Sequence, residues 1–276
     1  MDIESGPTFA PVIFATPSLH GLVSAPWCMA YGAFVGTLPG VVAPDAHVEF
    51  VFQTGAPCAT QSAADAPVTS SPAAMVYAQR HGVLRLVPTG ANAILAFRTT
   101  PAVASVILGR PIADCWDRPV DLAELVGPEA HRLLDRMAGV PLSMQGAFVE
   151  AWLVSRLQAW GSENERNLRL QRNLLWRSGG RSLSVLADDL GVTARTLRRH
   201  FTKHAGLSPK QLSMSGRILR ACAYLNDRHD MSIAEVGLRV GFGDQAAFTN
   251  AFHHYVGMTP GRLRAEPIVF CERPGF

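Results

Sequence analysis

Apolar positions in the carboxy-terminal third recur at helical spacing, and the whole pattern then recurs about fifty residues later. Leu183, Leu186, Ala187 and Leu190 fall at i, i+3, i+4 and i+7, one face of a helix, with Ser182 as its predicted N-cap. Gly191 is the residue expected to turn the chain. Thr193 caps a following helix with Leu197 and Phe201 inward. Ser232, Ile233, Gly237, Gly241, Phe248, Phe252, Gly257 and Pro260 repeat Ser182, Leu183, Ala187, Gly191, Leu197, Phe201, Gly206 and Pro209, at an offset of 50 up to the turn glycine and 51 after it. One residue is inserted in the turn, and both the apolar register and its punctuation survive.

A small residue, a turn glycine and then an apolar residue at Ala187, Gly191 and Leu197 satisfy a helix-turn-helix: the small residue lets two helices cross closely and the apolar one locks the second. The units are expected over 183–204 and 232–255. Ser208-Pro209 opens a helix between them, with Leu212, Ile218, Leu219, Ala221, Cys222 and Leu225 inward. Nineteen residues of helix span about 28 Å, close to the roughly 34 Å of a DNA turn, so two recognition helices on this spacer fit successive major grooves.

The amino half has a different period. Val48–Phe52 alternates, and Cys28–Leu38, Met75–Arg80, Val83–Val87 and Ala93–Arg98 read as further strands between Pro/Gly breakers, which predicts a small barrel or sandwich. The Ala/Ser/Thr/Pro-rich segment 59–74 reads as a mobile loop. Helical spacing resumes after Pro101 and is stopped by Gly109; short helices are expected at 121–125 and 128–137, a longer one over 141–160, and another over 164–176. Gly161-Ser162 is the expected hinge. The fold class is therefore α+β in two domains: a β-rich domain over 1–140, a helical linker over 141–162, an all-α double helix-turn-helix over 163–265, and a tail over 266–276.

Charge sharpens this division. Residues 1–162 carry a net −4 and residues 163–265 a net +8, so the repeat lies in a basic half, which points to a polyanionic partner. The stretch from Phe9 to Pro44 has no Asp, Glu, Lys or Arg, but five prolines and four glycines interrupt it, so no membrane span is expected; Asp2 and Glu4 stand where a signal peptide needs positive charge. A cytoplasmic location follows as an expectation. The five cysteines are irregularly spaced and read as reduced, buried thiols.

The outward positions on the second helix of each unit are Ala194, Arg195, Arg198 and Arg199 in the first and Gln245, Ala246, Thr249 and Asn250 in the second. Arginine presents a bidentate fork to guanine, Gln and Asn do so to adenine, and Ala or Thr packs on a thymine methyl. These eight are the expected DNA-binding residues, with a G-containing box for the first unit and weaker reading by the uncharged second. Phosphate contacts are expected at Arg239, Arg262, Arg264 and His253 or His254. Asp244 would repel phosphate and is expected to cap.

Residues 191–201, Gly206-Leu207-Ser208-Pro209, Gly241-Phe242-Gly243-Asp244-Gln245 and Gly257-Met258-Thr259-Pro260 resemble the AraC/XylS family of bacterial transcription regulators, over about 100 residues from Asn164 to Arg264. Gly237 departs from the family's usual alanine, and Asn250 stands where arginine is common. The amino half is similar to the small cupin-like sensor domain of one AraC subgroup, through Pro44-Asp45-Ala46-His47-Val48-Glu49-Phe50 and Leu95-Ala96-Phe97-Arg98. The resemblance implies double-stranded DNA as partner, a small-molecule effector or homodimerisation through the amino half, and RNA polymerase as a further partner of an activator. No cofactor is implied.

Two rival classes remain open. A metal-dependent cupin enzyme would need converging histidines, whereas His20, His47 and His81 stand alone. An alkyl-transfer repair protein would need an activated thiol, and Cys58 has no basic neighbour while Cys115 has only Arg118. The expectation is a non-enzymatic regulator with no catalytic or metal-binding residues. The aromatic residues Trp27, Tyr31, Phe34, Phe50, Phe52, Tyr77, Phe97 and Trp116 are expected in core packing more than in an effector pocket.

Overall fold

The computed structural model describes residues 8–11, 14–24, 26–32, 37–38, 41–44, 47–62, 66–78, 81–176, 183–189 and 191–265. The amino half is built from β1 (Thr8–Pro11), β2 (Trp27–Tyr31), β3 (Val48–Gly55), β4 (Ala59–Gln61), β5 (Ala74–Ala78), β6 (Arg85–Val87), β7 (Asn92–Thr99) and β8 (Val120–Asp121). Six of these form one antiparallel sheet in the order β1-β2-β7-β3-β5-β8, and β4 pairs with β6 in a second. Helices α1 (Pro101–Leu108), α2 (Leu122–Val126), α3 (Glu129–Met137) and α4 (Leu142–Arg156) follow. The carboxy half is α5 (Ser162–Trp176), α6 (Leu183–Asp189), α7 (Ala194–Ala205), α8 (Pro209–Asp227), α9 (Ile233–Arg239), α10 (Gln245–Val256) and α11 (Pro260–Ala265). This is the mixed architecture that the two periodicities predict. Among the described residues no helix is long and apolar enough to cross a membrane.

Side-chain alternation on β3 explains the layering, because successive residues of a strand point to opposite faces. Val48, Phe50 and Phe52 are fully buried on the helix side. Phe50 stacks on Phe97 of β7 at 4.9 Å between centroids, and Trp152 of α4 lies 6.1 Å from both Phe50 and Phe52. Glu49, Val51 and Gln53 face the other way, toward the small β4–β6 sheet, and line a small, mostly apolar cavity of about 40 Å³. The expected core packing therefore holds for Phe50, Phe52 and Phe97, and Tyr31 and Trp116 are buried as well. Trp27 and Tyr77 instead line the cavity. Phe34 lies outside the described residues.

The described parts of segment 59–74, residues 59–62 and 66–74, correct the expectation of a mobile loop. Small polar residues do not prevent pairing where neighbouring strands supply the hydrogen bonds: Thr60 and Thr69 exchange backbone bonds of 2.8 Å, and Gln53 donates from its amide to the Ala73 carbonyl (2.7 Å) and from its side chain to the Pro72 carbonyl (3.0 Å).

The hinge expected at Gly161-Ser162 does not string the two halves apart. Trp160 Nε1 donates to Glu165 Oε1 across it (2.8 Å), the Ala102 amide of α1 donates to Gln171 Oε1 of α5 (2.8 Å), and one apolar cluster runs from Phe50 and Trp152 through α1 to Leu197, Phe201 and Leu212. A second cluster holds the second unit with the carboxy end of α8, through Ile218, Ala221, Cys222 and Leu225. The spacer helix thus sits in one core at its start and the other at its end.

Candidate nucleic-acid interface

The two units are punctuated as the repeat requires. Gly191 (φ +62°) and Gly241 (φ +93°) occupy the left-handed region that glycine enters without strain. Thr193 Oγ1 accepts from the Thr196 amide (3.1 Å) at the start of α7, and Asp244 Oδ1 accepts from the Ala247 amide (2.7 Å) at the start of α10, which gives Asp244 its capping role. Reciprocal capping boxes close α8 (Ser208 with Gln211) and α9 (Ser232 with Glu235). The predicted N-cap Ser182 lies outside the described residues. Leu197, Phe201, Phe248 and Phe252 are buried, so the inward faces of α7 and α10 are fixed and their outward faces follow.

Arg195, Arg198 and Arg199 are exposed together on α7, at i, i+3 and i+4 of one face. Among the described residues no hydrogen bond or ion pair engages their guanidinium groups, which leaves all three forks available to a ligand. Ala194 is half-buried and packs against the first apolar cluster, leaving only part of its surface outward. On α10, Gln245, Ala246 and Asn250 are exposed and Thr249 is half-buried. Arg239 and Arg262 are exposed and Arg264 is half-buried. His254 is exposed yet lies 5.5 Å, ring to ring, from His81 of the amino half.

Contacts between distant elements have no signal in the sequence. Trp116 Nε1 donates to the Ala205 carbonyl at the carboxy end of α7 (3.1 Å), and the neighbouring Gly206 (φ +63°) could not carry a Cβ, which would lie 2.9 Å from Trp116 Nε1 and 3.0 Å from Ala113 Cα. The end of α10 is held in a parallel way: the Gly82 amide donates to the Tyr255 carbonyl (2.7 Å) and His81 stacks on Tyr255 at 5.2 Å. Arg217 of α8 donates to the Gly241 carbonyl (3.2 Å) and fixes the second turn.

Gly237 is explained by its neighbour. A Cβ at 237 would lie 2.9 Å from Phe248 Cβ and 3.0 Å from its Cγ, so glycine makes room for the larger aromatic, where the first unit pairs Ala187 with Leu197. Gly237→Ala gains about 1 kcal/mol of helix propensity but overpacks at a cost of about 1–3 kcal/mol. The expected outcome is a lower thermal midpoint, by up to about 2 kcal/mol of stability, largely restored by adding Phe248→Leu. A raised midpoint in the single variant would contradict the steric account.

The rival chemistries meet a different environment. Burial pushes the Cys28 thiol up to about 11 and raises Cys58; Cys115 is pushed to about 11 by burial and then by the Asp114 charge. That is opposite to the stabilised thiolate a reactive cysteine needs. Among the described residues no group of three His, Cys, Asp or Glu is placed to hold a metal ion. Cys271 lies outside the described residues.

Residues 186–266 match the family described as helix-turn-helix domain. The Msm operon regulatory protein of Streptococcus mutans is 30% identical over 132 residues, 47% of each chain; the transcriptional regulator ExsA of Pseudomonas aeruginosa is 29% identical over 175 residues, 62% of this chain and 57% of its own. The match thus spans about half the length of these curated relatives. The crystal structure of ToxT from Vibrio cholerae aligns over 88% of this chain and 97% of its own at 10% identity and a TM-score of 0.45. The fold and the duplicated unit define a double helix-turn-helix DNA-binding domain. The match agrees with the resemblance to the AraC/XylS family read from the sequence, and the regulators above are what the chain is similar to.

Proposed function

We propose that this chain is a sequence-specific, DNA-binding transcriptional regulator of the cytoplasm, with residues 163–265 reading DNA and residues 1–140 acting as a sensor or dimerisation domain, joined by the helical stretch 141–162. The observation that carries it is the trio Arg195, Arg198 and Arg199, exposed and, among the described residues, unengaged on the second helix of a correctly turned unit in the basic half. The outward residues of α10, Gln245, Ala246, Thr249 and Asn250, read a second box more weakly, having no charge. Ala194 contributes through the part of its methyl that faces outward. The cavity beside Trp27, Glu49 and Tyr77 is the place for a small, largely apolar effector. An activator of this kind also contacts RNA polymerase, and a homodimer would double the number of boxes read.

Selection of binding sites from random DNA with the full chain tests this reading. The full chain is the right object because the inward residues of α7 share a core with the amino half. A G-containing consensus is expected, bound with an affinity that falls steeply as salt rises, since neutralised phosphates release counterions. No enriched sequence, or binding indifferent to salt, would defeat it.

A further inference from the structure

Three consecutive residues, Gly82-Val83-Leu84, touch three different things. The Gly82 amide bonds the Tyr255 carbonyl of α10 (2.7 Å), Val83 is buried in the core of the second helix-turn-helix, and Leu84 lines the cavity of the amino half. Leu84 is bridged to Val42 by two backbone hydrogen bonds (2.8 and 3.0 Å), and the same alternation holds on that side: Val42 lines the cavity while Val41 and Ala43 are buried in the core of the second unit. Opposite faces of two extended segments joined by one antiparallel bridge therefore serve as cavity wall and as core.

We infer that the bridged segments 41–43 and 83–84 are a wall common to the cavity and the second helix-turn-helix, so that the packing inside the cavity sets the order of α9 and α10. The first unit is attached elsewhere, to α1 and Trp116 on the far side of the large sheet, and does not share this wall. An occupant of the cavity that moved Val42 or Leu84 would move Val41, Ala43 and Val83 with them, because the backbone between is paired and both faces are packed. The weaker reading head is the one coupled to the cavity. The inference rests on the regulator reading for its consequence at DNA, though not for its geometry.

The test compares two truncations of cavity-lining side chains in the full chain, Leu84→Ala on the wall and Met75→Ala on β5 away from it, by amide hydrogen exchange. Leu84→Ala is expected to speed exchange in α9 and α10 at least about tenfold while α6 and α7 stay within about twofold. Met75→Ala is expected to leave α9 and α10 within about twofold. Unchanged exchange in α9 and α10 of a folded Leu84→Ala protein overturns the inference, and so does an equal rise in Met75→Ala. If Leu84→Ala does not fold, the milder Leu84→Val is expected to speed exchange in the same two helices about threefold, and no change there overturns the inference equally. Since the readout needs no DNA, a failure to bind any operator would defeat the regulator reading and leave this result standing. Where an operator is found, Leu84→Ala should lose protection over the second unit's box only, and equal loss over both boxes counts against the wall.

Discussion

Glu49→Ala is expected to lower stability by about 3 kcal/mol, read as a shift in the urea midpoint at unchanged slope. Glu49 and Arg98 are directly opposed on β3 and β7, with Arg98 Nε donating to Glu49 Oε1 at 3.2 Å, and their side chains are only 15% and 5% exposed. Trp27 Nε1 donates to the same oxygen at 3.0 Å, so truncation removes the acceptor of two donors at once. Breaking a buried pair on one side costs about 3–5 kcal/mol because a desolvated charge loses its counter-charge. The low end applies here because the Glu49 side chain keeps 15% exposure on the cavity wall and Arg98 has further contacts. Glu49→Gln keeps an oxygen for Trp27 and should lose less. The double variant Glu49→Leu with Arg98→Met, apolar on both strands, should recover most of the loss. A Glu49→Ala protein as stable as its parent would mean that the pair is solvated in practice and that the cavity wall around it is loose.

The same pair shows what is legible in the sequence. Period-2 alternation places Val48–Phe52 on a strand, and Arg98 ends another, yet nothing in either stretch says that they are neighbours; register is a product of pairing across the sheet. Strands that alternate strongly can be read, whereas β1, β4 and β8 cannot, because two to four residues among prolines and small side chains carry too short a pattern. The described parts of segment 59–74 mislead for that reason, being held by the Thr60–Thr69 pair, by β6 and by Gln53 of β3. The helical half is legible in detail, since Gly191, Gly241, Thr193 and Asp244 act within one turn of where they stand. The docking of the amino half on the ends of α7 and α10, through Trp116 and through His81-Gly82, depends on partners 89 residues away in the one case and on Tyr255 in the other. No local pattern encodes such a distance.

Arg195→Ala and Arg198→Ala are each expected to weaken binding to the selected operator by about 1–3 kcal/mol, and to relax preference for guanine at the positions they face. The local structure makes this a test of recognition and not of folding. Thr193 fixes the start of α7 and Leu197 and Phe201 fix its rotation, so the outward face is presented whether or not the arginines are there. Exposed side chains with no internal partner change stability by no more than about 0.5 kcal/mol, and thermal midpoints should stay with the parent. Gln245→Ala and Asn250→Ala on α10 are expected to lose less, because an amide makes the adenine contact without adding attraction to phosphate. Salt separates the two kinds of contact: a variant that has lost a phosphate neighbour has a shallower slope of affinity against salt, by about one counterion, whereas one that has lost only a base contact keeps the parent slope with a weaker intercept. The resulting order, with the arginines of the first unit well ahead of the amides of the second, follows from the unequal charge on two architecturally matched helices. Operator affinity unchanged in Arg195→Ala and Arg198→Ala at physiological salt would show that the exposed trio is a solvated helix face and that recognition lies elsewhere on the domain.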